Sequence, residues 1–258
     1  MIRLLKAGLF RLKKDILFWI FIFLTIGLAI LTLVRYVPIE GITLDSALNE
    51  FLIYIGLFIA IFVSIFVGKE HSQGIIRNKI IVGHSRFSIF LANLIICIIV
   101  SLLCELIYLA IIFLVGTPLL GQLQMTLSQF IGILVNTIFI IISFCSIYNF
   151  VTMLCSEITI STTICIILFI AMFIAQGAFS LTAHSSKYIE NAFYDENGNK
   201  HIISQEIDPN YPGDQKVKTA KIIYLSIPQG QAMEIKNNNL DSLQQMTIYS
   251  IILIVIID

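Results

Sequence analysis

Five long apolar runs dominate the chain. Ile16 to Val34, Phe51 to Gly68, Leu127 to Cys155 and Ile158 to Ala183 contain no charged residue, and Phe87 to Gly116 contains one, Glu105. A helix needs about 20 apolar residues to cross a hydrocarbon layer of roughly 30 Å. Inside lipid the backbone must satisfy its own hydrogen bonds, so runs of this kind are helices. A soluble reading fails on composition. Only 12% of residues are charged and 58% are apolar, against about 25% charged in ordinary globular domains, so water-facing surface could not be covered. The expected fold class is all-α, a polytopic membrane helix bundle.

A sixth apolar run covers Met246 to Ile257 and ends before Asp258. Twelve helical residues rise only about 18 Å. The expectation is six transmembrane helices with the last one truncated. Residues 1–183 then form the bundle, 184–245 a polar connection and 246–258 the start of the sixth span. The connection carries a turn signal at Asp195, Glu196, Asn197, Gly198 and Asn199, with Pro209, Pro212, Gly213 and Pro228 further on. A link this long in a compact protein has structure or a function of its own. It reads as a small extracytoplasmic subdomain between helices five and six.

Orientation follows from the basic residues. Arg3, Lys6, Arg11, Lys13 and Lys14 precede the first span, and Lys69, Arg77, Lys79 and Arg86 flank or fill the loop between the second and third. The first loop offers only Arg35, beside Glu40, Asp45 and Glu50. Alternating spans place both basic segments on one face, which is therefore cytoplasmic. The expected protein is a multi-pass cell-membrane protein with its N-terminus inside. Sixteen basic and sixteen acidic side chains cancel, so net charge suggests no nucleic-acid partner.

The opening segment is amphipathic. Ile2, Leu5, Leu9, Leu12 and Ile16 recur at spacings of three and four, with the basic residues on the remaining circumference. Such a helix lies in the headgroup layer against membrane lipid, bracing the bundle, unless it is a plain basic flank. The loop Lys69 to Arg86 brackets a short stretch, Ile75 to Val82, between Gly74 and Gly83. Its isoleucines stand beside Arg77, Asn78 and Lys79, so a short amphipathic helix there must lie back on the membrane or dock into a soluble partner. A solvated loop is the plainer alternative.

Glu105 is the sharpest single residue. An acid at mid-helix costs about 2.5 to 3.5 kcal/mol on insertion scales, so it faces protein or water. It lines a route for substrate or ion, or makes a structural hydrogen bond between helices, with Tyr108, Asn136 or Ser143 as partners. Glu157 marks a tight turn between spans four and five. Gly116, Thr117 and Pro118 read as an ordinary helix stop. Cys97, Cys104, Cys145, Cys155 and Cys165 read as small buried hydrophobes with no metal spacing. His71, His84, His184 and His201 lie in loops without ligand spacing. The chain lacks a GxxxxGK[ST] phosphate loop and an HExxH zinc motif.

The pattern ExxxGxxRNKxxxGxxR, formed by Glu70, Gly74, Arg77, Asn78, Lys79, Gly83 and Arg86 after the second span, resembles that of the permease subunits of ATP-binding-cassette exporters of the type-two (ABC-two) class. The likeness extends to the basic elbow before span one and the tight turn between spans four and five. It also covers the polar segment before span six and the run IPQGQ at Ile227 to Gln231. Two departures are the length of that polar segment and the short last span. The resemblance implies a transport subunit and not an enzyme, with those seven residues forming the loop that docks on a separate cytoplasmic ABC ATPase. No cofactor is expected on this chain, ATP and Mg²⁺ being held by that partner. A second permease subunit, identical or related, completes the pathway, and the implied function is export of an amphiphile such as a peptide antibiotic or a lipid. The alternative reading is a membrane-anchored sensor or assembly factor whose extracytoplasmic segment binds a partner.

Overall fold

The computed structural model describes residues 1–39, 43–194, 200–237, 239 and 242–257, with 190–194 and 200–204 described by backbone alone. Glu40, the turn signal at 195–199 and Asp258 lie outside the described residues. A basic helix α1 (Ile2–Lys14) precedes α2 (Ile16–Tyr36), a short α3 (Leu44–Leu48) and α4 (Phe51–Ser72). A helix of about two turns, α5 (Ile75–Ile81), then leads into α6 (Arg86–Ile111). Among the described residues five helices are long and apolar enough to cross a membrane, as the apolar runs require.

The third crossing does not stop at Gly116. After Ile111 the chain passes through a π-helical stretch (Ile112–Gly116) and continues as α7 (Thr117–Leu120), ending at Gly121 with φ +87°. Pro118 explains the widened turn: it offers no N–H, and its ring would collide with the carbonyl four residues back. The Thr117 hydroxyl donates at 2.6 Å to the Phe113 carbonyl, which also accepts from the Thr117 amide. A proline that usually ends a helix is here carried within one, to Leu120.

Two further crossings follow, α8 (Leu127–Leu154) and α9 (Ile158–Ala183). Thr126 and Gln129 form a capping box that starts α8. The polar connection opens with an antiparallel hairpin, β1 (Tyr188–Tyr194) and β2 (Lys200–Ile207), paired from Tyr188 opposite Ile207 to Tyr194 opposite Lys200 with a one-residue register shift between Asn191 and Ala192. It then forms α10 (Asp214–Ser226), α11 (Pro228–Lys236) and, beyond the connection, α12 (Leu243–Ile257).

Only part of that connection stands apart from the bundle. α10 packs along α9, while α11 packs against α4, α8 and α9. Pro228, Gln229, Gly230, Gln231, Ala232, Glu234 and Ile235 are all buried. The last helix lies on α8, where the Thr247 hydroxyl donates to Asn136 Oδ1 at 3.1 Å.

Lipid tails are as apolar as leucine, so helices in a membrane associate through close packing and not through a hydrophobic drive. Glycines mark the closest approaches. A Cβ on Gly56 would meet the Phe144 ring at 2.8 Å and the Phe169 ring at 2.9 Å, wedging α4 between α8 and α9. Near the other end of α4, a Cβ on Gly68 would contact the Ile158 backbone at 3.4 Å. α4 is the most enclosed of the spans and α9 the least. One end of the bundle gathers α1, α5 and the 155–157 turn, and the opposite end gathers α3, α7, α10 and α11.

Candidate functional site

Glu70 organises the first end. It sits near the end of α4 at 2% exposure and accepts from three elements at once. Arg11 of α1 donates at 2.7 Å and Lys79 of α5 at 2.6 Å, both to Oε1, while Asn93 of α6 donates to Oε2 at 2.8 Å. Both carboxylate oxygens are thus engaged by charged or amide donors, the stronger class of hydrogen bond. Arg11 is held further by the Phe66 carbonyl at 3.2 Å and stacks 4.0 Å above the Phe66 ring.

A second ion pair locks the elbow. Asp15 ends α1 and begins α2 in extended backbone, and its carboxylate accepts from the Leu17 amide at 3.1 Å. Lys69 reaches the same carboxylate at 3.0 and 3.1 Å. Adjacent residues of α4, Lys69 and Glu70, therefore grip the amino-terminal helix at two points. α1 buries Leu4, Gly8 and Leu12 against the bundle and leaves Ile2 and Ile16 of the apolar stripe exposed at the protein surface. Gly8 is the point of close approach: its Cα is pressed against Ile96 of α6, and a side chain there would overlap Ile96.

The seven residues of the loop motif divide into groups with different surroundings. Glu70 and Lys79 point inward and are committed to each other. Gly74 and Gly83 bracket α5 with φ of +67° and +96°, the left-handed region that only glycine enters freely. Arg77, Asn78 and Arg86 are exposed. Ile76 is the single fully buried residue of α5. Ile81 and Val82 are 73% and 77% exposed, forming an apolar tip beside the basic side chains. A cleft of about 510 Å³ lies under the loop, lined by His71, Ile76, Arg77, Ile80, Arg86 and Met153 among others. Glu157, in the neighbouring turn, is exposed and makes no side-chain cap for α9.

Glu105 lies apart from this end, within α6 and 6% exposed. None of the three partners expected from the sequence reaches it. Tyr108 donates to the Ala47 carbonyl at 2.8 Å and to Thr32 at 3.3 Å. Asn136 serves Gly132 and Thr247, and Ser143 donates to the Phe139 carbonyl. Among the described residues Glu105 Oε2 has no hydrogen-bond partner. All five cysteines are free, and four are buried.

The opposite end holds a polar cluster that the sequence reading left unassigned. α11 begins with Pro228 at its first turn, where a missing N–H costs nothing. Gln229 Nε2 donates to the Ile53 carbonyl at 3.2 Å, and Asn49 Nδ2 to the Ile235 carbonyl at 3.3 Å. Gln231 Nε2 donates to the Leu225 carbonyl at 2.7 Å, and its oxygen accepts from Ser250 at 2.7 Å. Gly230 lies so close to the Tyr224 carbonyl that a Cβ would overlap it. Each residue of Pro228–Gln231 thus fixes the re-entry of the chain into the bundle.

Glu234 completes that cluster. It is fully buried, with His184 Nε2 at 3.0 and 3.3 Å from its two oxygens and Asn239 Nδ2 donating at 3.0 Å. His184 Nδ1 lies 2.9 Å from the Ser180 carbonyl, which can only accept, so that nitrogen carries a hydrogen. The Tyr224 ring packs edge-on to His184, and burial pushes the Tyr224 phenol well up from its ordinary value. Two signals were available for this cluster: a proline opening a Gln- and Glu-rich stretch, and a histidine at the end of an apolar run.

No protein-family model, curated protein or solved structure matches this chain.

Proposed function

We propose that this chain is the membrane-spanning permease subunit of an ATP-driven ABC exporter of the type-two class. The single observation that carries the reading is the presentation of α5. A helix of seven residues is not stable alone, yet Lys79 and Ile76 hold it against the bundle while Arg77, Asn78, Ile81 and Val82 project outward. An exposed apolar tip ringed by basic groups on a braced base fits a docking knob for a soluble partner. In this reading the partner is a cytoplasmic ABC ATPase holding ATP and Mg²⁺, and the end bearing α1 and α5 faces the cytoplasm. A second permease subunit, a copy or a relative, supplies the other half of the pathway. The cargo is an amphiphile, a peptide or a lipid.

Force applied to the knob is useful only if the ATPase binds it differently in its two nucleotide states. The braced base supports that role, because a loop free to swing would absorb the stroke. The test is co-purification with a co-expressed cognate ABC ATPase, using the Arg77→Glu and Ile81→Glu double variant. Neither residue is tied to the bundle, so the permease should retain its fold and lose the ATPase by 30-fold or more, the scale of a docking hot spot of roughly 2 kcal/mol. Undiminished association with an otherwise intact variant would overturn the assignment.

A further inference from the structure

A groove on the lipid-facing side of the elbow has the form of a seat for one phospholipid. Its walls are Leu9 and Leu12 of α1, Phe18 and Trp19 of α2, and Ile99 and Leu103 of α6, and it encloses about 460 Å³. Val100 forms the floor, and Lys13 stands at the mouth. The walls are otherwise apolar, so the groove offers nothing to water. Its far end on α6 is Leu103. Asn93 lies level with Glu70 at the end of α4, and the ten residues on to Leu103 rise about 15 Å. That is half of a hydrocarbon layer of roughly 30 Å, the span of one leaflet.

The charge at the mouth selects the headgroup. Arg11 is spent on Glu70, and the nearest acid, Asp15, is spent on Lys69. Lys14 rests over the Phe10 ring. Lys13 has no ion pair among the described residues and is exposed. The Trp19 indole donates to the Lys13 carbonyl at 3.2 Å, fixing an amphipathic ring beside that ammonium at the level where such rings meet headgroups.

We propose that this groove binds a single anionic phospholipid, one acyl chain lying along Leu12, Phe18, Ile99 and Leu103 and the headgroup phosphate against Lys13. A general attraction of a basic helix for an anionic surface would concentrate such lipids without seating any of them. The seat differs because it needs the groove to be open as well as the lysine to be charged. The inference rests on membrane embedding alone and stands or falls independently of the transport reading.

Trp19 is the chain's single tryptophan and lines the groove, so its fluorescence reports occupancy. The full chain is placed in phosphatidylcholine nanodiscs containing increasing fractions of chain-brominated phosphatidylglycerol, with chain-brominated phosphatidylcholine as the matched arm. Quenching by the anionic lipid should saturate at low mole fraction and exceed that by the zwitterionic lipid severalfold at equal bromine content. Lys13→Gln should reduce this preference roughly fivefold, the scale of one basic residue near a headgroup. Leu103→Phe, which fills the groove and leaves every charge in place, should abolish saturation. Equal quenching by the two lipids in the wild-type chain would overturn the proposal, as would a preference that survives Leu103→Phe undiminished. Should that variant fail to fold, Ile99→Phe on the same wall makes the same comparison.

Discussion

Replacing Glu70 with glutamine should release α5 while leaving the rest of the bundle folded. The carboxylate accepts from Arg11, Lys79 and Asn93. Glutamine can keep the Asn93 contact but leaves two cations without a counter-charge. Breaking a buried ion pair from one side costs about 3 to 5 kcal/mol. The side chains of Arg11 and Lys79 retain 27% and 16% of their exposure, so both can recover some hydration. A loss of about 2 to 3 kcal/mol is the consequent expectation. The amides that report it are those closing the α5 turn: Asn78 to the Gly74 carbonyl, Val82 to the Asn78 carbonyl and His84 to the Lys79 carbonyl. At 1.4 kcal/mol per factor of ten, their hydrogen exchange should accelerate roughly 30- to 150-fold. Arg77→Glu, two residues from Lys79 but exposed, should leave those rates unchanged. If Glu70→Gln alters them by less than about threefold, a level well below one kcal/mol, the view of α5 as a braced knob is wrong.

Three other substitutions probe the remaining features. Gly230→Ala places a Cβ onto the Tyr224 carbonyl, which is backbone and cannot swing aside; thermal unfolding should show a loss of roughly 3 kcal/mol. Glu105→Gln should leave the unfolding midpoint nearly unchanged, within about 1 kcal/mol, because Oε2 has no described partner to lose; a drop beyond that would reveal a partner. At the start of α10, the Tyr211 hydroxyl and then Lys187 hold the Asp214 carboxyl below its ordinary value. A depressed folded pKa means that the contact is present above the unfolded carboxylate value and is lost as pH falls through the folded one. Exchange protection of the first α10 turn should therefore be flat above about pH 5 and fall below pH 4, with Tyr211→Phe shifting that loss upward.

The spans were legible because lipid leaves a backbone few choices, and a run such as Ile158–Ala183 allows no alternative to a helix. The short helix at Ile75 was legible for a related reason, its two flanking glycines marking the left-handed residues on either side. The illegible parts depend on tertiary neighbours. Pro118 stops most helices, but here the π-helical stretch absorbs it, which no local pattern announces. Glu70 read as one more polar residue of a docking motif, whereas Asn93, 23 positions away, turns it into the centre of a buried network. The stripe on α1 gave an amphipathic helix, but that Gly8 is the point of close approach to Ile96 of α6 depends on a partner 88 positions away. Pro228–Gln231 read as part of the polar connection and of the family likeness, and only their acceptors on α4, α10 and α12 make them a buried helix.

α4 joins the two polar clusters, and its surroundings determine which of them can yield. Its 22 residues span about 33 Å. Glu70 and Lys69 fix one end to α1, α5 and α6, while Ile53 and the preceding Asn49 hold α11 at the other. Between them Gly56 is wedged against two aromatic rings, so the helix cannot slide past α8 and α9 by small degrees. Under the proposed function, a push on α5 therefore moves α4 as a rod. The near end is tied by three ion pairs, two of them to the buried Glu70. The far end is tied to α2 by Arg35 and Tyr36 on Glu50, whereas its hold on α11 is through neutral hydrogen bonds worth about 1 kcal/mol each. The contacts to α11 break first. The element they release is α11, which the His184–Glu234 contact still ties to the end of α9. Rearrangement driven from the α5 end is thus expected to appear at the opposite end, between α11 and α4, with the loop cluster itself unchanged.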